Sequence, residues 1–266
     1  MSFPMEILLV FVFLAVSTVF SMLGQGGGAF YVPMLLAVSV PFYVAASTSQ
    51  VLIVVVSISS MLIFARHGMI DWKLVLLIEP PTNVGSFLGG YLSVYVPPHV
   101  AQLCFAVMLL IGAYFMYRPV GEHSPHAPDD GRWWRWNRTG VAGPYTVNVP
   151  VLLPVMILVG FAAGMLGVGG GLLKVPVMVL LGGVPMGIAV GSSSLMVGAT
   201  ALTGLLGHLL QGHLDLAFAV PLAAGVLAGS QIGPRLSVRT DRARLRKYFA
   251  FLMVAISVWL IYGAVR

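Results

Sequence analysis

Apolar residues in this chain come in long unbroken runs, without the alternation of a strand or the narrow stripe of a surface helix. The runs fall near 5–38, 43–65, 73–95, 98–117, 150–181, 186–210, 215–234 and 246–264. Most approach or exceed the roughly 20 residues that carry a helix across a bilayer. Lipid offers backbone polar groups no partner, so a segment inside it satisfies them within its own helix. With no period-two signal between the runs, the pattern predicts an all-α polytopic membrane protein. One long polar stretch, Arg118 to Asn148, is rich in Pro, Gly, Trp and Arg and reads as an extramembrane linker. The predicted organisation is an N-terminal membrane repeat (1–118), a cytoplasmic linker (119–149) and a C-terminal membrane repeat (150–266).

The word repeat rests on a register. Met22-Leu23-Gly24-Gln25-Gly26-Gly27-Gly28, followed by Val32-Pro33, recurs as Met165-Leu166-Gly167-Val168-Gly169-Gly170-Gly171, followed by Val175-Pro176, at an offset of 143. After one inserted residue the offset is 144. Val40-Pro41 then matches Val184-Pro185, Ser47-Thr48-Ser49-Gln50 matches Gly191-Ser192-Ser193-Ser194, and Gly68 to Asp71 matches Gly212 to Asp215. The register holds through Gly85-Ser86 and Gly229-Ser230. Chance likeness between apolar stretches does not place Gly, Pro, Ser and Asp together for so long.

Charge then sets the topology. Arg66 and Lys73 flank the second connection, Arg118, Arg132, Arg135 and Arg138 flank or lie in the linker, and Arg235, Arg239, Arg242, Arg244, Arg246 and Lys247 follow the seventh run. The positive-inside rule makes all three cytoplasmic. Eight single crossings would put the third cluster on the wrong side. The conflict disappears if runs one and five are helical hairpins that enter and leave on one side, each turning at its glycines. Each half then has odd crossing parity, and the expected architecture is two inverted repeats, each a broken, re-entrant hairpin plus three transmembrane helices. The Gln211–Asp215 connection, which has no Lys or Arg, falls outside.

Composition narrows the function classes. Hydrophobic residues make up 59% and charged residues 8%, against roughly 25% charged in soluble domains. The formal charge of +6 lies between apolar runs, so it reports topology and no nucleic-acid partner. The linker's Trp133, Trp134 and Trp136, interleaved with arginines, suit an interfacial anchor. Cys104 is the single cysteine, which leaves neither a disulfide framework nor a cysteine metal site. MSFPME lacks the basic start of a cleaved signal peptide, so the apolar stretch after it is expected to remain as a helix. Neither glycine motif continues into the Gly-Lys-Ser/Thr ending of a phosphate loop. No cofactor or metal is expected.

The glycines carry the chemistry. Each costs roughly 1 kcal/mol relative to Ala inside a helix, and unwound backbone at membrane depth persists only where protein buries it or a polar cavity lies beside it. Free N–H groups at the start of a half-helix favour an anion. Close helix packing through small residues is the competing account of glycine. Duplication of the whole motif favours a substrate cradle at Gln25, Gly26, Gly27 and Gly28 and at Gly169, Gly170 and Gly171.

These motifs resemble the TauE/SafE family of sulfite and organosulfonate exporters over nearly the whole chain. The resemblance rests on Gly24 to Gly28 with Pro33, Gly167 to Gly171 with Pro176, and the following Ala45 to Ser49 and Ala189 to Ser193. Gln25 stands where the family more often has an apolar residue. The resemblance implies export of sulfite, a sulfonate or a related organic anion across the bacterial inner membrane.

Further candidates surround the glycines. The Ser/Thr runs are expected to open runs two and six, where Ser49, Gln50, Ser193 and Ser194 either bind the anion or cap the helix. Glu79 and Lys174 are the charged residues well inside apolar runs, where ionisable groups are functional by default. Lys174, three residues past the second motif, is placed to neutralise the anion; its counterpart is Tyr31. Glu79 precedes Pro80-Pro81, which should distort the helix, and is a candidate proton carrier with Asn83 beside it. Alternatively the two form a structural pair. Gln231 is a candidate for the pathway, as is Arg235, whose favoured reading is that it marks the cytoplasmic end of its helix. The expectation is a secondary transporter coupled to a proton, a cation or the anion's own gradient. An anion channel is the alternative. An intramembrane hydrolase, built on His208 beside Ser192 to Ser194, lacks an orienting third residue, so no enzyme is expected.

Overall fold

Glycine and proline positions decide where the helices begin and end. The computed structural model describes residues 3–22, 26–117, 134–140, 143–212, 216–237 and 242–265. The first half carries α1 (Phe3–Met22), α2 (Gly28–Ala37), α3 (Phe42–Arg66), α4 (Trp72–Leu92) and α5 (Pro98–Tyr117). The second carries α6 (Val149–Leu166), α7 (Gly171–Leu180), α8 (Met186–Leu209), α9 (Leu216–Ser237) and α10 (Arg242–Val265). Among the described residues α3, α5, α6 and α8 are long and apolar enough to cross a membrane. The chain is a multi-pass, helical membrane protein.

Each half has the same order, including a ten-residue second helix. The breaks before these short helices are made by left-handed glycines, with φ +73° and +87° at Gly26 and Gly27 and +67° and +78° at Gly169 and Gly170. Only glycine adopts such angles without strain. The chain turns back at both breaks. Phe13 and Tyr31 would lie ~27 Å apart along one straight helix, yet their rings stack with centroids 5.1 Å apart. In the second half the Asn148 N–H donates to Gly182 O (3.4 Å), so the far end of α7 returns to the start of α6.

Small residues set the packing. Gly225, Gly229 and Gly233 of α9 lie on Val10, Leu14 and Thr18 of α1, and the two helices run parallel. The exchanged pair does the same: Gly85 and Gly89 of α4 meet Ile157 and Phe161 of α6, and Gly160 and Gly164 meet Thr82 and Ser86. Lipid supplies no hydrophobic force between helices, so close backbone approach over glycine does much of the holding. By contrast, α3 and α8 run antiparallel, with Gln50 beside Gly204 and Ser57 beside Gly198. So do α5 and α10. Ser257 Oγ donates to Ala106 O (2.9 Å), while Gln102 shares a groove with Trp259 and Leu110 one with Phe251.

The linker departs from expectation. Between the halves stands an antiparallel hairpin of β1 (Arg135–Gly140) and β2 (Gly143–Asn148). Tyr145 and Val147 of β2 are buried in the cluster formed with α4, α6, α7 and α8. The alternation of β2 was hidden by its polar residues and by a turn at Gly143, where φ is +104°. Residues 118–133, with Arg132 and Trp133, lie outside the described residues, as do Gln25, Asp215 and Arg239.

Candidate functional site

The two glycine turns meet. A methyl group on Gly28 would fall 2.6 Å from Val168 O and 2.5 Å from Ile53 Cδ1. Gly26 and Gly169 occupy equivalent places in the repeat, as do Ile53 and Val197. A methyl group on either glycine would fall within 3.1 Å of both side chains, so matching residues of the two halves meet one another here. Gly27 and Gly170 are the N-caps of α2 and α7 and supply no side-chain cap. The first amides of these helices, at Gly28 and Ala29 and at Gly171 and Leu172, therefore have no intrahelical partner and present positive partial charge. Ten-residue helices end here, in the interior.

The Ser/Thr runs do not open their helices. Pro41 and Pro185 are the N-caps of α3 and α8, so Ser49 and Ser193 sit about two turns inside, where N-capping is impossible. From there the first half holds the second. Ser49 Oγ donates to Gly167 O (2.8 Å) and Gln50 Nε2 to Gly164 O (2.9 Å), the unsatisfied carbonyl end of α6. Ser194 Oγ donates to Gly191 O (2.6 Å), and its carbonyl accepts from Ser57 Oγ. Ser192 Oγ accepts from the Asp71 N–H (3.0 Å). Ser193 is fully buried and engaged.

Glu79 and Lys174 form the pair that the sequence left as an alternative. Lys174 Nζ donates to Glu79 Oε2 (2.9 Å), to Met196 O (2.9 Å) and to Thr200 Oγ1. Thr200 Oγ1 in turn donates to Glu79 Oε1 (2.7 Å). All three ammonium hydrogens are used, so Lys174 presents no free charge to an anion here. Thr200 was missed because a lone Thr in an apolar run has no signal. Pro80 and Pro81 do not interrupt α4; they leave the Leu76 and Leu77 carbonyls without their i+4 donors.

The remaining candidates spread along two interfaces. Asn83 Oδ1 accepts from Thr203 Oγ1 (3.4 Å) between α4 and α8. Gln231 lies between α9 and α3, with Nε2 donating to Ser59 Oγ (2.5 Å) and Oε1 accepting from Arg235 (3.4 Å). His208 contacts Ser93 Oγ (3.3 Å) and Gly164 O (3.0 Å) and none of Ser192 to Ser194 in the bonds described.

A second ionic cluster went unread. Asp71 caps α4 by accepting from the Lys73 and Leu74 N–H groups (3.1 Å each). It also accepts from Arg138 Nε (3.1 Å), a second Arg138 nitrogen (2.7 Å) and Tyr145 OH (2.6 Å). Burial opposes its ionisation, but Arg138, Tyr145 and the Leu74 amide outweigh that and hold the carboxyl below the usual range. Burial and the Asp71 carboxylate push the Tyr145 hydroxyl up. Asp71 thus ties the β-hairpin to the start of α4. An aspartate just before an apolar run was its one visible sign.

The sequence model of the family "Sulfite exporter TauE/SafE" matches residues 9–260. The chain is 27% identical to the "Probable membrane transporter protein YunE" of Bacillus subtilis, with 97% of this chain and 98% of that one covered. It is 26% identical to a "Probable membrane transporter protein" of Xylella fastidiosa, covering 91% and 89% of the two chains. With the "Probable membrane transporter protein YfcA" of Escherichia coli K12 it shares 25% identity over 90% and 83%. No solved structure matches.

Proposed function

Because this chain belongs to the sulfite exporter TauE/SafE family, we propose that it is a secondary transporter exporting a small anion, sulfite or an organosulfonate, across the bacterial inner membrane. One observation carries the reading: two helix N-termini, uncapped by any side chain, converge through glycine turns at the interface of the halves. The anion sits on the amides around Gly26 to Gly28 and Gly169 to Gly171. Ser49, Gln50, Ser193 and Ser194 position those turns or complete the shell. Gln25, outside the described residues, is included by its place in the motif.

The halves are inverted repeats working by alternating access. The antiparallel courses of the equivalent helices α3 and α8, and of α5 and α10, support the inversion, since repeats related by an axis along the membrane normal would run parallel. The return of α7 to the start of α6 supports re-entrance from the cytoplasmic side. Burial of Ser47 to Gln50 and Ser192 to Ser194 from solvent favours an occluded transporter over a channel, which needs a continuous polar lining. Coupling runs through Glu79: when its carboxylate takes a proton, the Lys174 ammonium loses its counter-charge and becomes available to the anion. Asn83 and Gln231 belong to the pathway on either side.

Proteoliposomes loaded with sulfite test this. Saturable efflux that responds to a pH gradient and loses that response in Glu79→Gln is the expected result; large conductance indifferent to the change sinks the coupling. Topology is tested separately in a Cys104→Ser background, where Gln211→Cys must label from outside. Cytoplasmic-only labelling refutes the inversion.

A further inference from the structure

Among the described residues, four buried side-chain atoms have no hydrogen-bond partner: Tyr31 OH, Thr48 Oγ1, Gln50 Oε1 and Ser60 Oγ. A buried polar atom left unpaired is costly and marks a missing partner. Thr48 and Ser60 lie within α3 and can turn their hydroxyls onto their own helix, as Ser47 and Thr82 do. Gln50 already uses one end of its amide on Gly164 O. Tyr31 has no such escape, because its hydroxyl sits at the end of a rigid ring. That ring is fully buried and stacked on Phe13 at 5.1 Å. Its neighbour Ser17 lies within electrostatic reach of the phenol but donates its own hydrogen to Leu14 O (3.0 Å), and the two hydroxyls do not meet in hydrogen-bonding geometry.

The position of the hydroxyl is telling. A methyl group on Gly27 would fall 2.5 Å from Tyr31 OH, so the phenol lies over the glycine turn that starts α2, next to the Gly28 and Ala29 amides, which have no partner within the helix. The repeat sharpens this. Tyr31 follows Gly28 by three residues as Lys174 follows Gly171, and Lys174 has all its hydrogens committed. At the two equivalent places, one half carries a saturated donor and the other a free one.

We propose that Tyr31 is a substrate ligand, its phenol donating a hydrogen bond to an oxygen of an oxyanion seated on the α2 turn. The assignment rests on the glycine turns being the anion's site and adds to it a donor fixed in direction. It selects anions that present a bare oxygen on that side, such as sulfite, a sulfonate or a carboxylate, over spherical halides. The α2 turn thereby becomes the binding turn, while the equivalent place at α7 is occupied by the ion pair that joins the halves.

The experiment is a thermal-shift titration of the purified full chain in detergent with sodium sulfite and, separately, sodium chloride at equal ionic strength. Tyr31→Phe keeps the stacked ring and removes only the orphan oxygen. Its ligand-free melting temperature should equal or exceed that of the unaltered chain, while the sulfite concentration giving half the shift rises roughly ten- to a hundredfold. Ser17→Ala should leave that concentration unchanged. Unaltered sulfite affinity in Tyr31→Phe overturns the assignment and leaves the glycine-turn site standing. A clear loss of ligand-free stability also overturns it, because that is the mark of a satisfied structural hydroxyl. If the unaltered chain shows no sulfite-specific shift, the anion site itself is refuted and the role of Tyr31 with it.

Discussion

Removing either partner of the Glu79–Lys174 pair should damage the protein more than removing both. Glu79→Gln keeps the shape of the side chain and leaves a buried ammonium facing two neutral oxygens, Met196 O and Thr200 Oγ1. Lys174→Met leaves a buried carboxylate with the Thr200 hydroxyl. An uncompensated buried charge of this kind costs about 3–5 kcal/mol, whereas replacing the whole pair by groups of similar volume is close to neutral. The second variant can escape by binding a proton, so its deficit should grow as pH rises. With roughly 2–4 °C of melting temperature per kcal/mol for a chain of this size, each single change should lower the apparent melting point by about 6–20 °C. The double change should recover to within about 5 °C. Thermal unfolding of all four proteins in one detergent, at pH 6 and pH 8, measures the cycle. If the double variant loses the sum of the single losses, the two groups are not coupled and the pairing argument fails. A Lys174→Met protein as stable as the original would show that the ammonium had been free.

Three further outcomes follow from backbone and interface geometry. Ser39 holds a left-handed φ of +65° where its repeat counterpart is Gly183 at +70°, so Ser39→Gly should stabilise by ~1 kcal/mol, read as a raised melting point. Gly89→Ala would drive a methyl group into Phe161 O and force α4 from α6, whereas Gly263, with nothing within 4 Å, should tolerate Ala or gain up to ~1 kcal/mol; detergent-extracted yield and melting point separate the two. Asp71 is held below the usual carboxylate range, so its contribution is complete above about pH 4 and is lost as pH falls through its lowered value. Asp71→Asn should therefore lower the melting point at pH 7, and the gap from the unaltered protein should close in acid.

How far the residues foretold this arrangement depends on what kind of constraint they answer to. Helix runs, breaks and repeat register were legible because the bilayer enforces length and glycine alone fits the turns. The eight runs match the described helices once the two glycine-centred runs are split at Gly26–Gly27 and Gly167–Gly170. Legibility failed where position along a helix mattered. Ser49 and Ser193 looked like openers because their Ser/Thr runs come early in runs two and six, yet helix starts at Phe42 and Met186 put them two turns inside. It failed again where two distant segments share a charge: nothing local in Arg138 or Tyr145 points to Asp71, and polarity alone made their hairpin look like a loop.

The repeat is faithful in backbone and unfaithful in charge, and the difference has a physical reason. Matching glycines and serines are required twice because the same helix contacts are made twice, α1 on α9 and α4 on α6. A buried ion pair is tolerable only where each member finds the other. At the second equivalent location Lys174, Glu79 and Thr200 are replaced by Tyr31, Ala223 and Val56, so no orphan charge is left behind. Among the described residues the Asp71–Arg138 link is likewise single, since the hairpin that supplies Arg138 lies between the halves. Two identical halves exchanging conformations would give inward- and outward-facing states of equal energy. Under the alternating access proposed above, the Glu79–Lys174 pair joins the halves at one of the two equivalent places and the strap lies at one end, so the two states would differ in energy by what those groups contribute.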